Sequence, residues 1–269
     1  VHIPGKKTVF ASFLVFVLGT LSVMAGKTEI IVFAAASLTE SFRELETRFE
    51  ARHPGADVVL NLASSYHLAQ QLCAGAPGDV FASANERQME AVVSCQRVDV
   101  ETVRRFARNR LVVVMPQGNP ADVKQFSDLA RPGLRLVLAA EETPIGAYTR
   151  QMLQTAASSN EWGQEFMNAV IENTASFEEN VKAVFSKVLL GEADAGVVYV
   201  SDTEGDDSGI IRTMQVPDSV NVLASYPVAI VNDSQEKQLA GLFLEFLLSK
   251  EGKDCLAAHG FMTVWGEDE

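Results

Sequence analysis

The most constraining feature is a repeated phrase: an apolar run, a small polar turn, then a helix with one apolar face. Glu29–Ala35 (EIIVFAA) is a continuous apolar run, as expected of a strand buried on both sides. Ser37-Leu38-Thr39-Glu40 follows as a capping-box pattern, and Leu38, Phe42, Leu45 and Phe49 recur at helical spacing. His53-Pro54-Gly55 ends that helix. Asp57–Leu62 is a second strand, and Ala63-Ser64-Ser65 opens a helix carrying Leu68 and Leu72. Gly78–Ala84 is a third strand, and Asn85 with Gln88 caps a third helix. Three such units in succession mean a mainly parallel sheet with right-handed crossovers.

A second set begins near Arg110. Arg110–Pro116 (RLVVVMP), Leu134–Ala140, Gly196–Val200 and Tyr226–Val231 (YPVAIV) read as strands. Ser127-Asp128-Leu129 opens a short helical segment closed by Pro132-Gly133. Thr143-Pro144-Ile145-Gly146 leads into a helix to Ala156, with Pro144 suited to its first position. Phe177–Leu190 reads as a helix with Val181, Val184, Phe185 and Val188 on one face. Two helical stretches from Ser234 to His259 have no strand of their own and are expected to pack back on the first lobe. The expectation is an α/β chain of two lobes. Residues 26–108 plus 232–269 form one lobe, and 109–231 the other with both hinge strands.

Composition narrows the function. The formal charge is −13 and the pI about 4.8, which argues against nucleic acid and against docking on an anionic membrane surface. Lys6 and Lys7 precede an uncharged stretch to Met24, and Val23-Met24-Ala25 fits a cleavage site. Residues 1–25 therefore read as an export signal. Cys73 and Cys95 lie on consecutive expected helices, and an oxidising compartment permits them to pair. The three Cys show no paired spacing of the zinc-binding kind. Gly205–Ser208 (GDDS) reads as an exposed loop.

The chemistry is expected at the strand-to-helix turns. Helix N-termini present unpaired N–H groups and a partial positive charge, so several converging on one point bind an oxyanion without Lys or Arg. The turns at Ser37, Ser64-Ser65, Thr143–Gly146 and the one before Val181 are the candidates, with Tyr199 adding a phenol at a strand end. Each alone is an ordinary cap or packing residue; their order along one exported chain gives them weight.

That order resembles a family. AAASLTESF, NLASS with LAQQL, and GAPGDVFASAN are similar to blocks of the periplasmic molybdate-binding proteins, as are RLVVVMP, PIGAY, ENVKAV, GVVYVSD and YPVAIV. The resemblance runs from Glu29 to Phe261. It implies a two-lobed periplasmic-binding-protein fold of type II, with the ligand in the cleft between lobes. It implies that Ser37 and Ser65 give hydroxyl and amide contacts, Ile145 and Val181 backbone N–H groups, and Tyr199 a phenol. These five would be ligands of the molybdate or tungstate oxyanion, not of a bare cation, and no cofactor is expected. The partner would be an ABC permease in the inner membrane, and the protein a periplasmic monomer. Ile145 stands where the family has Ala, and Tyr66-His67 where many members have small polar residues, so both bear on the rim. The alternatives are another oxyanion or a ferric complex on the same fold, or a serine hydrolase using Ser37 or Ser65 with a His. No Gly-x-Ser-x-Gly elbow supports the hydrolase.

Overall fold

A computed structural model describes residues 1–2, 26–204 and 209–263. Nearly all of the expected leader, and the loop 205–208, lie outside the described residues.

The first three strands are β1 (Thr28–Ala35), β2 (Ala56–Ala63) and β3 (Val80–Ala82). Helices α1 (Thr39–Arg52), α2 (Ser65–Cys73) and α3 (Glu86–Ser94) follow them in turn. β1 lies between β2 and β3, parallel to both. Its register with β2 pairs Ala35 with Ala63 at the last position. The turns holding Ser37 and Ser65 therefore leave the sheet side by side.

β4 (Arg104–Pro116) is long enough to serve two sheets. Its first half pairs with β9 (Leu223–Ile230), which also pairs with β3. Its second half pairs with β7 (Ala195–Tyr199) and β8 (Ile211–Gln215). β5 (Leu136–Ala139) lies parallel to β7 and to β6 (Thr174–Glu178). Ala139 pairs with Glu178 at the end of that ladder, so the turns after β5 and β6 also emerge together. Tyr226–Ile230 of the YPVAIV stretch runs inside the first sheet, and the chain crosses between sheets within β4 at Arg110–Leu111.

Helices α4 (Pro144–Ala157), α5 (Gly163–Glu172) and α6 (Val181–Leu189) cover the second sheet. α7 (Lys237–Leu248) and α8 (Lys250–Ala258) return to the first, as their lack of a strand implied, and β10 (Met262–Thr263) closes on β4. Phe49 of α1 meets Phe243 of α7 edge-on, with ring centroids 5.3 Å apart, and both are fully buried. Cys73 and Cys95 form a disulfide between the ends of α2 and α3, with Cα atoms 5.8 Å apart.

Two local expectations are corrected. The helix read from Phe177 begins only at Val181. Phe177 belongs to β6, an edge strand without an apolar run, and Asn180 caps α6 by accepting from the Ala183 N–H at 3.0 Å. The capping box at Ser37 does not form: Ala36–Leu38 is a 3-10 turn, Leu38 precedes α1, and the Ser37 hydroxyl bonds elsewhere. β6, β8 and α5 carried too little apolar periodicity to be read in advance.

Candidate functional site

The four turns converge. Ser37, Ser65, Ile145, Val181 and Tyr199 line one cavity between the two sheets, together with Ala36, Ser64, Ala84, Thr143 and Asn180. No lining residue carries a formal charge. The five expected site residues are each no more than 4% exposed, so they sit deep at the base of a partly open cavity. It offers about 20 Å³ to the centre of a water molecule. A sphere of that volume, with the water radius added, would be roughly 3 Å in radius, the scale of one tetrahedral oxyanion and too small for a sugar or peptide.

Each wall supplies donors for a definable reason. In α4, Pro144 has no N–H, the Gly146 N–H donates to Thr143 Oγ1 at 3.2 Å, and Ala147 bonds back to the Thr143 carbonyl. Ile145 is thus the one residue of that first turn whose N–H is left for a ligand. Its side chain turns away into the core. Gly146 is required by the close approach to β5: a Cβ there would lie 1.9 Å from the Ala140 carbonyl oxygen. In α6, Asn180 satisfies the third N–H and leaves those of Val181 and Lys182. In α2, the Ser64 side chain makes no capping bond, so the first-turn N–H groups stay free of it.

The hydroxyls divide into engaged and unengaged. Ser37 Oγ lies 3.1 Å from Tyr226 Oη. Ser65 Oγ accepts from the Ala84 N–H at 3.0 Å, which leaves its own proton to donate. Ser64 Oγ and Tyr199 Oη are buried without any partner, an expensive condition for a hydroxyl unless a ligand supplies one. Burial, aided by the neighbouring Tyr226, Tyr148 and Asp202, pushes the Tyr199 phenol well above its ordinary range, so it stays a donor. Reading the sequence assigned the Ser pair to one residue, Ser65; the unpartnered Ser64 hydroxyl is an addition whose only sequence signal was its place in the same turn. Tyr66 and His67 do not line the cavity: Tyr66 Oη accepts from Gln70 Nε2 at 2.9 Å, along its own helix.

Charge gathers at the lip. Lys182 Nζ lies 2.7 Å from Glu40 Oε2 on α1 and 3.3 Å from Asp202 Oδ1. Asp202 is fully buried and accepts the Tyr199 N–H at 3.1 Å. Burial pushes its carboxyl up to about 6, against the pull of Lys182. For Lys182, burial works downward, but Asp202 and Glu40 outweigh it and hold the ammonium above its usual value. A second tie between the halves runs from Gln88 Nε2 to the Glu142 carbonyl at 3.2 Å.

The family described as bacterial extracellular solute-binding protein matches residues 30–262. This chain belongs to that family. The binding protein is 34% identical to the molybdate-binding protein ModA of Mycobacterium tuberculosis, over 88% of this chain and 85% of the relative. Its fold matches the periplasmic molybdate-binding protein of Azotobacter vinelandii with a TM-score of 0.76, at 21% identity, over 88% of this chain and 100% of that one. It matches the sulfate-binding protein SubI of Mycobacterium tuberculosis equally well, at 0.77 and 19% identity, over 89% and 88%. The fold is therefore the two-lobed type II arrangement, and the fold alone does not choose the anion. The relatives are binding proteins, not enzymes, and the binding protein is not an enzyme either.

Proposed function

We propose that this protein captures molybdate or tungstate outside the cytoplasm and delivers it to an ABC permease. Ser37, Ser65, Ile145, Val181 and Tyr199 hold the anion, with Ser64 beside them. The observation that carries the reading is a small, charge-free cavity between the sheets in which two buried hydroxyls wait without partners. Hydrogen bonds to an ionised acceptor are stronger than neutral ones, and a dry site strengthens them further. Donors fixed to helix ends cannot close in on a smaller anion, so size separates molybdate and tungstate from sulfate. The lining holds no carboxylate to accept a proton strongly, and its N–H groups can only donate, which favours the dianion over protonated forms. The expected leader at 1–25 and the 34% identical relative support a periplasmic receptor whose lobes close about β4 and the β8–β9 connection.

Calorimetric titration of the purified protein with molybdate, tungstate, sulfate and phosphate tests this. One-to-one binding of the first two with the others silent is the expected result. Equal binding of sulfate removes the size argument, and silence towards all four removes the ligand assignment.

A further inference from the structure

Outside the residues that line the cavity, α8 lies against α1 and brings three different ligand chemistries together. Glu44 Oε, Cys255 Sγ and His259 Nε2 all lie within 4.8 Å of one another. Cys255 and His259 are four residues apart, so the helix sets them on one face; Glu44 comes from α1. His259 Nε2 is 2.7 Å from Glu44 Oε2, and Cys255 Sγ donates weakly to the Ser41 carbonyl oxygen at 3.8 Å.

We propose that Glu44, Cys255 and His259 form a binding site for a borderline divalent cation of the zinc type, which fixes the last helix to the first. One sulfur, one imidazole nitrogen and one carboxylate oxygen are a zinc-like donor set, and three protein ligands leave a fourth position for water. Glu44 can hold the cation through Oε2 because Arg48, one turn on, holds Oε1. Arg48 is itself shared with Glu251 at 3.9 Å, which offsets its charge towards an incoming cation. Access is open on one side: the His259 and Glu44 side chains are 26% and 37% exposed, while Cys255 is buried beneath them. Binding exchanges the thiol proton for the metal: the S–H bond breaks, an S–metal bond forms, and the proton leaves to solvent. Sequence reading gave no hint, because Glu44 is 211 positions from Cys255 and no paired Cys spacing exists.

The test is titration of the purified protein, disulfide intact and treated with chelator, with cobalt(II) and then zinc. One equivalent of cobalt should raise a near-ultraviolet thiolate-to-cobalt band that zinc bleaches. Cys255→Ser should lack the band. His259→Ala, at a half-exposed position, should weaken zinc binding by more than the roughly 10–100-fold that an outer partner alone is worth. Zinc should raise the melting temperature of the wild type and of neither variant, with far-ultraviolet circular dichroism confirming that both fold. No cobalt band at millimolar metal, or a band unchanged in Cys255→Ser, overturns the proposal. Neither outcome bears on the oxyanion cavity.

Discussion

Val181 and Lys182 are neighbours in sequence and opposites in use. Val181 turns its N–H to a cavity in which no lining group is charged. Lys182 sends its ammonium to Glu40 and Asp202 at the lip. The difference separates two tasks. An ammonium inside the cavity would attract any dianion, whereas dipoles fixed to helix ends favour the anion whose size reaches them all. Placed outside, the same ammonium joins α1 of one half to α6 of the other. It also partly offsets Asp202, whose carboxylate in turn positions Tyr199 through the backbone N–H.

The comparison breaks most severely if charge is put into the cavity. Ser37→Asp keeps a partner for Tyr226 but sets a carboxylate against the anion. Buried like charges cost several kcal/mol, so molybdate binding should fall by roughly a thousandfold or more by calorimetry. Retained binding would show that the cavity is not where the anion sits.

Next in size is the pH response of Asp202. Its folded pKa, about 6, lies above the ordinary carboxylate value, so the folded chain holds this proton more tightly than the unfolded chain does. The contribution is present in full below about pH 4 and is lost as pH rises through about 6. Denaturant unfolding at successive pH values should show wild type losing on the order of 3 kcal/mol relative to Asp202→Asn between pH 4 and 7. A constant difference between the two would place Asp202 in water. Molybdate affinity should stay flat from pH 7.5 to 9, above the Asp202 transition, because the one titratable lining group, Tyr199, is held protonated.

Removing single donors is smaller again. Ser65→Ala and Ser37→Ala should each cost about 1.5–3 kcal/mol of binding, or roughly 10–150-fold in Kd. Ser64→Ala, tested beside them, asks whether its unpartnered hydroxyl reaches the ligand. Ile145→Ala should bind as wild type does, since that position offers its backbone.

How much of this was legible follows from which residues are buried. β7, the Leu111–Met115 half of β4 and most of β1 from Ile30 on are apolar because both faces are covered, and such runs announce themselves. β6 alternates between half-covered and exposed residues and β8 buries only Ile211, so TASFE and IRTMQ look like loop. α5 turns only Phe166, Met167 and Val170 inward, too few to stand out by period. The cavity was legible because it is made of turns, and Ser37, Ser65, Ile145, Val181 and Tyr199 each sit where a strand ends or a helix begins. What stayed hidden depends on contacts between distant segments. Ser37 bonds to Tyr226 and not to its own helix, Lys182 reaches Glu40, and Glu44 meets Cys255 and His259. No spacing along the chain encodes those meetings.

The mildest test acts on the lip alone. Glu40 is 54% exposed, and a pair so open to water is worth no more than about 1 kcal/mol. Glu40→Gln should therefore leave global stability almost unchanged. Yet this pair spans the two halves, so opening the cavity must break it, and its whole small energy falls on the balance between open and closed forms. Ligand binds the closed form, so Kd should weaken by up to about fivefold, carried by a faster release rate. Because the pair is exposed, raising the salt concentration should erase the difference between variant and wild type. An effect that survives high salt would mean that Glu40 acts through Asp202, by way of the shared Lys182, and the lip and the cavity would then be one electrostatic unit instead of two.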